Sequence, residues 1–224
     1  MRWEPKQWWP GEDIIIIGGG PSLEGFDWER LIPYRTIGCN DAYQLGPEVC
    51  DVCVFGDQKW FNAHKADLIN FPNPVFTNQP FLHTSSPDWL RTMSRRPSGL
   101  YRQELGWGGN TGCIAINLAL ILGAKRVLLL GFDLKRGLKG QSNWHPHNVG
   151  VPNEASWKRF KIGFQQIACD LPKVFPGCSI FNLGPDSGLD VFPKMELDDV
   201  LETLKQKETQ SEPETNVFDP ACAV

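Results

Sequence analysis

The residues able to do chemistry fall in a few short stretches. "IIIIGGGPSLEG" runs four isoleucines into Gly18, Gly19 and Gly20, then Pro21 and Ser22. A strand delivering three glycines to a helix start would present bare backbone N–H groups at a positive helix end, which attracts phosphate or carboxylate. The stretch lacks the Lys-Ser/Thr of a P-loop, and Leu23 spoils a G-x-G-x-x-G match, so close strand–helix packing is the competing explanation. Further on, "TIGCND" ends an apolar run at Asn40 and Asp41, "FGDQ" ends one at Asp57, and "LLLGFD" ends one at Asp133. Polar side chains at successive strand ends suit a ligand site, because open α/β sheets bind at the carboxyl edge of their strands. "GGNTG" opens an apolar helix with Asn110, Thr111 and Gly112, a second set of N-terminal amides beside a hydroxyl. The segment "KRGLKGQSNWHPH" carries Lys135, Arg136 and Lys139, which could neutralise a diphosphate, and His145 and His147, which could take a proton near neutral pH. It reads equally as a loop with a stacking Trp144 and solvent-facing histidines, and the H-x-H pair has no obvious third metal ligand.

The elements positioning these residues alternate. Strands are expected at Ile14–Ile17, Thr36–Cys39, Val49–Phe55, Pro74–Thr77, Val127–Leu130 and Ser179–Leu183. Helices are expected at Ser22–Ile32, Lys59–Ile69, Pro87–Arg95, Thr111–Leu122, Glu154–Leu171 and Leu197–Lys205. Short continuously apolar strands separated by helical stretches predict a single α/β, Rossmann-like domain, mainly parallel, with helices on both faces. The helix "CIAINLALILGA" is apolar nearly all round and should be the buried central one. Two long Gly/Pro-containing stretches, residues 97–110 and 135–152, read as lids or binding loops. The domain is expected over residues 13–204, after a Trp-rich segment (1–12) and before an acidic, disordered tail (205–224). Trp3, Trp8 and Trp9 in the first segment suit either an association surface, compatible with a homo-oligomer, or a cap on the sheet's core.

Composition limits the function. The net charge of −4 is concentrated in the C-terminal acidic excess, and the nearly balanced remainder is too weakly basic for a nucleic-acid surface. No apolar run reaches membrane-spanning length, and the N-terminus lacks a signal peptide's apolar core, so a cytoplasmic location is expected. Most of the seven cysteines lie in apolar stretches, and Cys50-x-x-Cys53 has no second pair at zinc-site spacing, so buried reduced thiols are expected.

"IIIIGGGPSLEGFDWERL", "IGCND" and "GNTGCIAINLALILGAKRVLLLGFDL" together resemble a family of bacterial lipooligosaccharide sialyltransferases. They also resemble a related family that includes a pterin diphosphokinase, flagellin-glycosylating motility accessory factors and small phage-encoded members. The resemblance covers about residues 13–193. It implies that Gly18, Gly20, Pro21, Ser22 and Asn40 hold a CMP- or other nucleotide-sugar, that Thr111-Gly112 contacts the nucleotide, and that Asp133 lines the donor site. It also implies that Asn182 and Ser187 touch the base or sugar, although a strand-ending turn explains them equally well. The family's phosphate-binding tyrosines are missing here, replaced by Lys135, Arg136 and Lys139. Val151 falls where the family's histidine base stands, which passes that role to His145 or His147.

A transferase using a small-molecule nucleotide-activated donor, most simply a glycosyltransferase acting on an unknown acceptor, is the leading expectation. Diphosphate transfer from ATP, with Mg²⁺ on Asp57 and Asp133, and a non-catalytic nucleotide- or partner-binding protein are the alternatives.

Overall fold

In the computed structural model, which describes residues 2–82, 86–146 and 152–211, a seven-stranded parallel sheet forms the centre. Its strands are β1 (Asp13–Ile17), β2 (Arg35–Cys39), β3 (Val52–Phe55), β4 (Val75–Thr77), β5 (Leu90–Thr92), β8 (Arg126–Leu130) and β9 (Ser179–Asn182), in the order β5-β4-β3-β2-β1-β8-β9. Two-residue strands β6 (Arg95–Arg96) and β7 (Leu105–Gly106) pair separately. The chain builds outward from β1 to β5 and then returns to β1's other side. The strand order therefore reverses between β1 and β8, where the carboxyl ends align, with Ile17 opposite both Gly38 and Leu130. A crevice opens at such a reversal because the two following connections leave in opposite directions.

Helices cover both faces: α1 (Gln58–Leu68), α2 (Thr111–Leu122), α3 (Glu154–Val174) and α4 (Leu197–Ser211). Every residue of α2 is buried, as its apolar circumference predicts. Its one central polar residue, Asn117, is fully buried and satisfied. Oδ1 accepts from Gly106 N (3.0 Å) and Tyr101 N (3.2 Å), and Nδ2 donates to Tyr101 O (2.7 Å). With Leu100 N donating to Asp170 of α3, Asn117 pins residues 97–110, so the first expected lid is a tethered loop. Truncating a core residue such as Ile116 would cost about 2–5 kcal/mol.

Three expectations are corrected. Residues 22–32 form two 3-10 turns, Pro21–Leu23 and Trp28–Leu31, because Gly25 between them takes a φ of +76° that ends any helix. Residues 87–95 are not helical: Leu90 and Thr92 bury their side chains as an edge strand on β4, and the Arg91 guanidinium stacks over Trp8. The last helix runs through Ser211, into the segment expected to be a tail, and residues 212–224 lie outside the described residues. Pro172 does not stop α3, since near a C-terminus a missing N–H costs one bond and Phe175 N still reaches Leu171 O at 2.9 Å.

The N-terminal tryptophans cap the core. Trp3 and Trp8 meet Phe76 edge-on at 5.0 and 5.6 Å, and the Trp8 and Trp9 amides donate to Leu122 O at the end of α2. Cys39, Cys50, Cys53 and Cys113 are buried free thiols, and Cys178 is half-buried. Burial pushes Cys50 and Cys113 up to about 12. No helix among the described residues is long and apolar enough to cross a membrane.

Candidate active site

The glycine turn, the start of α2 and the turn after β8 open onto one cavity of about 490 Å³, at the reversal of strand order. That volume lies within the range of small-molecule sites.

The glycines are required first by packing. A β-carbon at Gly18 or Gly20 would lie 2.5 Å from the Gly131 carbonyl oxygen, so the turns after β1 and β8 interlock with no space for a side chain. Gly18 N donates to Leu130 O and Gly20 N to Gly131 O, both at 2.8 Å. The Ser22 amide and hydroxyl both donate to Asp133, to Oδ2 at 2.6 Å and Oδ1 at 2.7 Å. Asp133, 4 % exposed, thus occupies the helix-end amide that the sequence suggested for phosphate. Gly19 differs. Its carbonyl accepts from Trp144 N, but its N–H has no acceptor among the described residues.

The α2 terminus supplies the second set of donors. Asn110 caps it, with Oδ1 accepting from Cys113 N at 3.0 Å, and no bond engages the Thr111 and Gly112 amides among the described residues. The Thr111 hydroxyl donates to Asn40 Oδ1 at 3.2 Å, which leaves the Asn40 amide group available at the cavity wall. Among the described residues, Asn40 (φ +52°) and Leu134 (φ +48°) are the non-glycine residues in the left-handed region, and both line this cavity. Such strain persists where surrounding structure enforces it, commonly at binding sites.

Asp41 is buried beside them. Its Oδ2 accepts from Trp60 Nε1 at 2.9 Å and lies 3.8 Å from His145 Nε2, while Oδ1 lies 3.6 Å from His64 Nε2. His145 also sits over the glycine turn, with Nε2 3.8 Å from where a β-carbon on Gly19 would be. Lys135 and Arg159 line the cavity without a carboxylate partner among the described residues, and Trp107, Trp157 and Phe160 supply aromatic surface. Arg95 stacks on Trp107 at 4.3 Å.

The sequence-derived candidates divide accordingly. Gly18, Gly19, Gly20, Pro21, Asn40, Asp41, Asn110, Thr111, Gly112, Asp133, Lys135 and His145 all line the cavity. Ser22 adjoins it through Asp133. Arg136 does not line it: its guanidinium donates to Gly140 O and Ser142 Oγ within its own loop, and Lys139 pairs with Glu24. Asn182 and Ser187 do not line the cavity: Asn182 Nδ2 donates to Leu189 O, and the buried Ser187 hydroxyl donates to Phe132 O behind the lining. His147 and Val151 lie outside the described residues.

For magnesium, the acidic side chains fit poorly. Asp57 lines the cavity, but its Oδ1 caps α1 by accepting from Lys59 N and Trp60 N, and both Asp133 oxygens serve Ser22. Among the described residues no group of three His, Cys, Asp or Glu side chains is placed to hold a metal ion. His64, Trp60 and Arg159 were missed from sequence, since a single His, Trp or Arg on a helix carries no spacing signal.

No protein-family model and no curated protein matches the chain at the sequence level. At the level of fold, the chain is similar to the MAf glycosyltransferase from Magnetospirillum magneticum AMB-1, with a TM-score of 0.56 and 14 % identity. That likeness covers 94 % of this chain but 39 % of the other, so the chain spans about two fifths of that protein's length. It is also similar to the sialyltransferase CstII from Campylobacter jejuni, solved with a substrate analogue, with a TM-score of 0.44, 15 % identity and coverage of 82 % and 85 % of the two chains. The seven-stranded parallel α/β architecture is therefore one that glycosyltransferases also use.

Proposed function

We propose that this protein is a glycosyltransferase that binds a nucleotide-activated sugar in the crevice between β1 and β8. The observation carrying this reading is the convergence on one cavity of donors that no bond engages among the described residues: the Gly19 amide, the Thr111 and Gly112 amides and the Asn40 side-chain amide. Four N–H sources around a cavity with Lys135 at its rim match the needs of a phosphate group. Trp107, Trp157 and Phe160 offer flat apolar surface for a base or sugar ring.

Catalysis would be positioning plus charge stabilisation. The amides and Lys135 would hold the donor phosphate and offset the charge it gains on departure. His145 is the cavity-lining imidazole for moving a proton. CMP- and UDP-sugars are the donor classes to try first, with the MAf and CstII likeness as supporting precedent for the fold.

Calorimetric titration with CMP, UDP, GDP and ATP, followed by hydrolysis assays on the matching sugar nucleotides, tests the proposal. Micromolar binding with slow chelator-insensitive donor hydrolysis is expected. Absence of nucleotide binding would refute it. Chelator-sensitive turnover of ATP would favour diphosphate transfer, and binding without turnover of any donor would favour a non-catalytic role.

A further inference from the structure

We propose that Asp41, supported by His64, holds His145 as an imidazolium facing the glycine turn, making it the proton donor to the departing phosphate. The inference builds on the donor-site reading and assigns the charge state of one of its groups.

Asp41 is 4 % exposed, and its only hydrogen bond among the described residues comes from the neutral Trp60 indole. A carboxylate so buried needs positive charge or further donors to remain ionised. Two imidazoles face it. The Tyr43 hydroxyl accepts from Gln44 Nε2 at 3.4 Å and lies 3.1 Å from His64 Nδ1, so one His64 nitrogen is already engaged by a phenol. His145 Nε2, 3.8 Å from Oδ2 on a side chain only 9 % exposed, is the one of the two imidazoles that also lines the cavity.

Other groups bear on His145. Lys135, from the turn after β8, and Arg159, from α3, share the cavity and oppose protonation, but both are exposed to solvent. Asp57 and Asp133 favour it, though each already accepts backbone hydrogen bonds. On the outer side Glu24 and Arg136 share a hollow with His145, and Glu24 is engaged by Lys139. The buried carboxylate is screened least and dominates, favouring the charged imidazole.

In the transfer step, the bond between the anomeric carbon and the phosphate oxygen breaks, with its electron pair going to that oxygen. The oxygen takes the Nε2 proton, while the acceptor hydroxyl oxygen bonds the anomeric carbon and releases its proton to water. His145 then regains a proton from water.

The test is an NMR titration of the imidazole C2–H signals in the free full-length protein, with His145 assigned by its loss in His145→Gln. His145 should titrate above the ordinary imidazole value of about 6.5. Asp41→Asn, which keeps an acceptor for Trp60, should return it to 6.5 or below. Between about pH 6.5, above the phosphate's own second ionisation, and the His145 midpoint, the affinity for CMP or UDP, whichever binds, should be flat; above that midpoint it should weaken up to tenfold per pH unit, and His145→Gln should abolish that weakening. A wild-type midpoint at or below 6.5, or a raised midpoint that survives Asp41→Asn, would overturn the proposal, and the wild-type titration decides even if the Asn variant fails to fold. A raised, Asp41-dependent midpoint without nucleotide affinity would uphold the charge pairing and refute the donor site.

Discussion

Replacing Asn40 separates ligand binding from folding because the residue serves each through a different atom. Its Oδ1 accepts from Thr111 Oγ1, its amide faces the cavity, and its backbone sits at φ +52°. Asn40→Ala removes one hydrogen bond to a charged phosphate, about 1.5–3 kcal/mol, so nucleotide Kd should rise about 10- to 150-fold. The same change places an alanine in the left-handed region, costing about 1 kcal/mol, and strips the Thr111 hydroxyl of its acceptor, about 1 kcal/mol more. Together they should lower Tm by about 4–8 °C in a chain of this size. Asn40→Gly loses the same amide without the backbone strain, so its Tm should fall about half as far while its affinity falls equally. Asn40→Asp keeps the acceptor and the tolerated backbone, yet sets a negative charge against the phosphate and should bind worst of the three. Calorimetry with the tightest-binding nucleotide and thermal melts of all three variants make the comparison. Unchanged affinity in both the Ala and Gly variants would remove Asn40 from the site.

Other consequences are measurable. Gly20→Ala forces a β-carbon to 2.5 Å from Gly131 O and 2.6 Å from Asp133 Cγ, so a urea melt should show a loss of about 1–3 kcal/mol, or no folded protein. Asp133→Ala leaves the Ser22 amide and hydroxyl without their acceptor and should cost about 1.5–3 kcal/mol in the same assay. Burial raises the Cys50 and Cys113 thiols to about 12, against about 8.5 for an unfolded thiol. Between about pH 9 and 12 the unfolded chain releases protons that the native core retains, so these thiols make stability decline as pH rises through that window and contribute nothing below it. Denaturant melts at pH 8 and 10 would show the difference. At pH 8, a thiol reagent should modify exposed Cys169 quickly and the core cysteines only on unfolding.

The sheet was legible where burial decides. "IIIIGGG" and "RVLLLG" can only be strands enclosed on both faces, and the all-apolar stretch after Thr111 is the central helix to the residue. Residues 22–32 and 87–95 misread because helical spacing in short segments yields to a single left-handed glycine or to an available sheet edge. Strand-end placement for Asn40 and Asp41, and the helix start for Thr111, anticipated that these residues line one cavity. That placement could not tell that Asp133 and Asp57 are occupied with Ser22 and the start of α1, since those bonds depend on where turns meet. His64 escaped notice because its significance lies entirely in Asp41, which tertiary packing brings beside it.

The mutual wedging of the Gly18–Gly20 and Gly131–Asp133 turns divides the crevice into a part closed to evolutionary drift and a part open to it. Where not even a methyl group fits, no exchange of residues can retune recognition. New substrate preferences on this scaffold would have to arise elsewhere in the lining, at Lys135, Ser142, Trp157 and Arg159, whose half-buried or exposed side chains can change without disturbing the frame.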